Sequence, residues 1–177
     1  VGLWLYNRDR SEILCEDLYT QSRQFHDKGN RLQASNYPRY FQALQESRII
    51  AAHEPIEDPR MNEFGEDYFK RHGITSMMDI PIRLHGEMVG ILCHGHTGTK
   101  REWTLEEEDF AASIADLASL FLETFERKRT EEALRESEAR YHSLFDGVPV
   151  GLYRSAPDGK MIDANRTFIQ MLGYPDR

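Results

Sequence analysis

Only two cysteines, Cys15 and Cys93, occur in 177 residues. Two thiols make no disulfide framework, so a reducing compartment is the default and a cytoplasmic setting is expected. No apolar run approaches the length of a membrane span, so no membrane contact is expected of these residues. Positive charge is scarce: 22 Lys and Arg against 30 Asp and Glu leave a formal charge of -8, which argues against a nucleic-acid partner. Nucleophile–base sets, zinc-ligand spacings and phosphate loops are missing too. Gly95-His-Thr-Gly-Thr-Lys100 lacks the Walker spacing, and no enzymatic activity is expected of this chain. It begins at Val1 and stops at Asp176-Arg177, which reads as a piece of a longer protein. A missing leader or anchor then says nothing of the parent.

The most informative absence is that of glycine and proline between Gly98 and Gly147. Thr104 can cap a helix and Glu107, three residues on, can reach back to it, while Glu106 to Asp109 put negative charge at the positive end of the helix dipole. Phe110, Ile114, Leu117 and Phe121 follow at helical spacing, widened by Leu120, Leu122 and Phe125. From Glu126 to Glu132 the apolar signal fades while helix propensity stays high, and Leu134, Tyr141, Leu144 and Phe145 resume it. The reading is one long connecting rod over 104–144, through which a homodimer is expected. The weak heptad over 126–132 suits a switchable contact better than a locked coiled coil.

Upstream, Val1 to Asn7 and Glu12 to Tyr19 read as a hairpin, and 21–35 as a long loop. Pro38 opens a short helix carrying Tyr37, Tyr40, Phe41 and Leu44, and Arg48 to His53 is a strand. Asp58-Pro59 starts a second helix with Met61, Phe64, Tyr68 and Phe69 on its apolar side and Gly73 as its stop. Thr75–Arg83 and Glu87–His96 form a central hairpin turned at His85-Gly86. Alternation assigns Leu3, Leu5, Ile80, Ile82, Val89 and Ile91, with Cys93, to an apolar face under the long helix. It assigns Trp4, Tyr6, Asp79 and His94 to a mixed face under the short helices and the 21–35 loop. On that mixed side a small-molecule pocket is expected, with Trp4, Tyr6, Phe25, His26, Tyr40, Phe41, Asp79 and His94 as candidate lining and no cofactor specified.

Each candidate has a plainer reading. The aromatic side chains are core first and lining second. His94 and His96 point the same way along a strand and could share a metal with Asp79, but a solvated His96 accounts for the pair without one, and no metal is expected. Buried, Asp79 needs a partner, with Arg83 or His94 the nearest candidates. Cys93 reads as a buried structural thiol.

Several motifs resemble GAF domains of bacterial sensor kinases: Tyr37-Pro38-x-Tyr40-Phe41-x-Ala43-Leu44, Asp58-Pro59-Arg60, Ser76-Met77-x-Asp79-x-Pro81-Ile82, Gly90-x-Leu92-Cys93 and Arg101-x-Trp103-Thr104. From Arg140 onward, Tyr141-x-x-Leu144-Phe145-Asp146, Pro149-x-Gly151-Leu152-Tyr153, Asp158-Gly159 and Asp163-Ala164-Asn165 resemble the opening of a PAS domain. The resemblance implies an α+β fold: a central antiparallel sheet with short helices on one face and a long C-terminal signalling helix on the other, then an incomplete PAS start. It divides the chain into a GAF unit at 1–123, without the helix that normally precedes its first strand, a helical linker at 124–140 and PAS residues at 141–177. It implies a sensory module that passes a ligand-dependent shift along its terminal helix to the PAS domain and a downstream histidine kinase. Two alternatives are a ligand-free dimerisation spacer and the regulatory part of a diguanylate cyclase.

Overall fold

A computed structural model describes residues 1–174, and the last three residues of the predicted PAS segment lie outside the described residues. Its chain contacts separate two units, divided between Glu123 and Thr124.

The first unit is built on one antiparallel sheet of seven strands. These are β1 (Gly2–Tyr6), β2 (Glu12–Thr20), β3 (Phe25–Asp27), β4 (Arg31–Gln33), β5 (Ile50–Ala52), β6 (Ile74–Leu84) and β7 (Glu87–Thr97). Their order is β3-β2-β1-β7-β6-β5, with β4 also paired to β2. The segment expected to be a loop at 21–35 therefore adds two strands to the sheet edge. Phe25–Asp27 pairs with Leu18–Thr20, and Arg31–Gln33 with Glu12–Leu14. Three-residue strands between polar turns leave no alternation long enough to read in sequence.

On one side of the sheet lie α1 (Pro38–Glu46) and α2 (Glu66–His72). Pro38 opens α1 without losing a helix bond, and Glu63 reaches across to accept from the backbone N–H groups of Arg39 (2.9 Å) and Tyr40 (3.1 Å). The second helix begins later than its Asp58-Pro59 motif suggests. Asp58 organises a turn through its backbone carbonyl and the Arg60 side chain, and Gly65, at φ +76°, breaks the chain before Glu66. Gly73 takes the left-handed stop at φ +64°.

The opposite side is covered by the first part of α3 (Leu105–Gly147), up to Leu122. Thr104 and Glu107 form the expected reciprocal cap: Thr104 N donates to Glu107 Oε2 (3.0 Å) and Glu107 N to Thr104 Oγ1 (3.3 Å). The strap before it is tied down at Ser76, whose hydroxyl donates to the Arg101 carbonyl (2.7 Å), and at His53, which accepts from Trp103 N (3.1 Å).

The face that α3 turns to the sheet is not the stripe of large residues. Ala111 (1% exposed) and Ala115 (2%) are buried against Met78, Ile80, Ile82 and Leu92, with Ala118 and Leu122 continuing the contact. Phe110 (68%) and Leu117 (61%) face outward. Small side chains let the helix backbone approach the sheet closely, and the bulky residues one position away are turned from it.

In the second unit, β8 (Tyr153–Ser155) and β9 (Met161–Ala164) pair across a turn with Gly159 at φ +82°, followed by α4 (Arg166–Met171). Asn165, fully buried, organises it. Its Oδ1 accepts from Leu152 N and Phe168 N, capping α4, and its Nδ2 donates to the Phe145 and Val150 carbonyls. Tyr153, Met161 and Ile162 of this small sheet stay exposed.

Candidate functional site

The site begins with β6, whose side chains alternate between the two coverings. Met78, Ile80 and Ile82 point to α3, while Met77 packs with Ile13, Tyr40, Phe41, Leu44, Met61 and Phe69 under the short helices. Asp79 shares that second side, within reach of Tyr40. Its neighbour β7 carries an irregularity. Ile82 pairs with Gly90 but Arg83 pairs with Met88, so Val89 is an extra residue. The bulge puts Met88 and Ile91 on the same side. Ile91 and Cys93 therefore belong with α1 and α2, and Leu92 with α3, the reverse of the expected alternation.

A cavity of about 30 Å³ lies in this side of the sheet, lined by Trp4, Ile13, Leu32, Tyr40, Phe64, Tyr68, Met77, Ile91 and Cys93. That is the volume of about one water molecule. Aromatic rings crowd it: Phe64 lies against Tyr40 (4.8 Å between centroids), Tyr68 (5.1 Å) and Tyr37 (4.5 Å).

Asp79 is completely buried beside it, against two of its lining residues. Tyr40 Oη donates to Asp79 Oδ2 at 2.6 Å, and the Cys93 thiol adjoins the carboxyl. Oδ1 has no hydrogen-bond partner among the described residues. Burial pushes the Asp79 pKa up to about 6, against the opposing pull of Tyr40 and Cys93. Burial and the neighbouring carboxyl in turn raise Tyr40 and Cys93 well above their ordinary values. Neither expected partner reaches the carboxylate. Arg83 donates instead to the Leu44 (2.8 Å), Gln45 (2.7 Å) and Ser47 (3.3 Å) carbonyls, closing the C-terminal end of α1. His94 pairs with Met78 on the α3 side, where burial lowers its pKa and leaves Nδ1 without a partner among the described residues.

The structure thus brings Trp4, Tyr6, Tyr40, Phe41 and Asp79 to one side, Tyr6 packing on Phe41 behind the cavity (5.9 Å). Phe25 and His26 stand apart on β3. Phe25 is 57% exposed, and His26 pairs with Asp17 at the surface (2.8 Å). Phe64, Met77 and Cys93 were missed as lining. The helical spacing of Phe64 marks it only as core, and the bulge hid Cys93. Elsewhere, an open groove of about 500 Å³ runs between the end of α1, the edge of β6 and α3, past Arg48, Pro81 and Asp116. The orphaned polar atom beside Tyr40 and Cys93 makes the smaller cavity the candidate site.

The pKa of Asp79 has a consequence for stability. A carboxyl whose folded pKa is raised keeps its proton where the unfolded chain has released it. Its contribution is therefore lost as pH climbs from about 4 to about 6 and stays lost above. The full difference is about 3 kcal/mol. In urea denaturation from pH 3.5 to 7.5, the stability of wild type minus that of Asp79→Asn should fall by that order across this window. A flat difference would mean that Asp79 is not held as described.

Among known proteins, the sequence profile of the GAF domain matches residues 1–122. The chain belongs to the GAF domain family. That of the PAS domain matches residues 139–177 of this GAF protein. A GAF domain of a two-component sensor histidine kinase from Bacillus halodurans superposes with a TM-score of 0.55 at 20% identity, covering 72% of this chain and 82% of that one. The PixJ GAF domain of Thermosynechococcus elongatus, in its blue-light absorbing form, gives 0.57 at 14% identity, over 76% and 80%. At these identities the likeness is one of fold. A methyl sulfide methyltransferase-associated sensor of Methanosarcina acetivorans is 32% identical over 90 residues, half of this chain and 9% of the relative's length. The fold is the GAF one in its α+β arrangement. No described helix is long and apolar enough to cross a membrane.

Proposed function

We propose that this chain is the regulatory GAF part of a multidomain cytoplasmic signalling protein. It takes a small molecule under α1 and α2 and passes its occupancy through α3 to the PAS domain and a downstream histidine kinase. A diguanylate cyclase output would use the same input. The observation that carries the reading is the double duty of β6. Met77 lines the cavity and Asp79 lies buried against its Tyr40 and Cys93 walls, while Met78, Ile80 and Ile82, in the same strand, carry α3. A ligand that displaces the Phe64 and Tyr68 rings loads that strand, and the alanine face of α3 is too closely packed to absorb the shift locally. Two copies join through the outward stripe of α3, where a twist of one helix against its mate is read out. No catalytic group is assigned to the fragment.

The small volume of the cavity favours a second reading, in which the pocket is filled by its own aromatic rings and the domain is a dimerisation spacer. Mass spectrometry of small molecules released on denaturing the protein purified from its native cells separates the two. Stoichiometric release of one compound supports the sensor. No release, together with no binder in an NMR screen, supports the spacer.

A further inference from the structure

The buried carboxyl of Asp79 has no counter-ion among the described residues. From α1 it meets the Tyr40 hydroxyl and from β7 the Cys93 thiol. Tyr68 of α2 is the next titratable group, and β5 brings only Ile50 opposite it in register. Arg83 is spent on the α1 carbonyls and His94 is on the far face. Beside Asp79, apart from Tyr40, Tyr68 and Cys93, the cavity is lined by largely apolar side chains, among them Trp4, Ile13, Leu32 and Met77. An acceptor so placed lacks one thing, a donor, and a site of this composition repels any second anion.

We propose that the ligand of this GAF pocket is a compact, mostly apolar molecule bearing a protonated amine, which donates to Asp79 Oδ1 and supplies the missing positive charge. This rests on the pocket reading above and names the chemical class that the pocket takes. Tyr40 is a positioning residue: its hydroxyl holds Oδ2 and so aligns the carboxylate without itself needing to touch the amine. A methylammonium ion approaches the size of the present cavity. A branched amine must push aside the Phe64 and Tyr68 rings, and that movement is what loads β6. Binding weakens as pH drops below about 6, where the carboxyl takes up its own proton.

The test is a titration of the whole chain, labelled at its methionine and isoleucine methyl groups, with methylammonium, isobutylammonium, isobutanol and isobutyrate at pH 7.5. The expected result is a saturable shift of the Met77 and Ile91 signals with an amine, at roughly tenfold or greater preference over the alcohol and the acid. Asp79→Asn should erase that preference. Repeating the wild-type titration at pH 5, where the carboxyl takes up its own proton, should shrink the preference for the amine over the alcohol, so the test does not depend on Asp79→Asn alone folding well. Equal or better binding of alcohol or acid at pH 7.5, or an amine preference unchanged at pH 5, overturns the amine and leaves the pocket standing. Absence of any shift with all four probes overturns the pocket reading and the amine together.

Discussion

Leu117→Glu is expected to convert the protein from dimer to monomer without unfolding it. Leu117 is 61% exposed and Phe110 68%, while the alanines beside them on α3 are buried in the sheet contact. The change therefore leaves the core of the domain untouched. In a two-fold interface the same stripe meets itself, so each substitution acts twice. Losing the burial of one leucine in each copy costs about 3 to 6 kcal/mol of association, at least a hundredfold in dimer affinity, before the repulsion of two carboxylates is added. Sedimentation equilibrium of wild type and variant reads the effect directly. An unchanged association constant with an intact circular-dichroism spectrum would move the dimer contact elsewhere.

Gly90→Ala should damage the domain itself. Leu5 of β1 pairs with Gly90 of β7, and the two backbones approach so closely there that an added methyl group would meet the Trp4 carbonyl oxygen and, at 2.6 Å, Leu5 Cδ2. The carbonyl belongs to the strand ladder and cannot swing away as a flexible side chain could. Separating β1 from β7 at this point also disturbs Trp4, a wall of the cavity. A loss of about 3 kcal/mol is expected, lowering Tm by on the order of 10 °C. Thermal unfolding followed by circular dichroism checks it, and a variant as stable as wild type would show that the strands have room to spare.

What the sequence makes legible here is what is decided locally. The Thr104–Glu107 cap, the His85-Gly86 turn, the Gly73 stop and the Asn165 cap depend on residues within a few positions of one another, and the structure has each of them. The face of β7 is decided by a pairing with β6, and one bulged residue at Val89 reverses every assignment beyond it. On α3 both Phe110-Ile114-Leu117-Phe121 and Ala111-Ala115-Ala118-Leu122 repeat at helical spacing. The rule that larger apolar residues go inward holds for a chain that folds alone, and it misassigns a helix whose large residues face outward. The partner of Asp79 was out of reach for the same reason: Tyr40 is 39 positions away in sequence. The Glu63 cap of α1 is likewise set by the tertiary fold.

The account stands on β6 carrying the state of the pocket to α3, and hydrogen exchange tests that most directly. Changing pH from 7.5 to 5 changes the charge of Asp79 without a ligand. After correction for intrinsic rates and referencing to β9, which belongs neither to the cavity lining nor to the sheet contact of α3, the account predicts altered protection in residues 111–122 of wild type and none in Asp79→Asn. Altered protection confined to residues 40–44 and 77–79, with 111–122 unmoved, would contradict it.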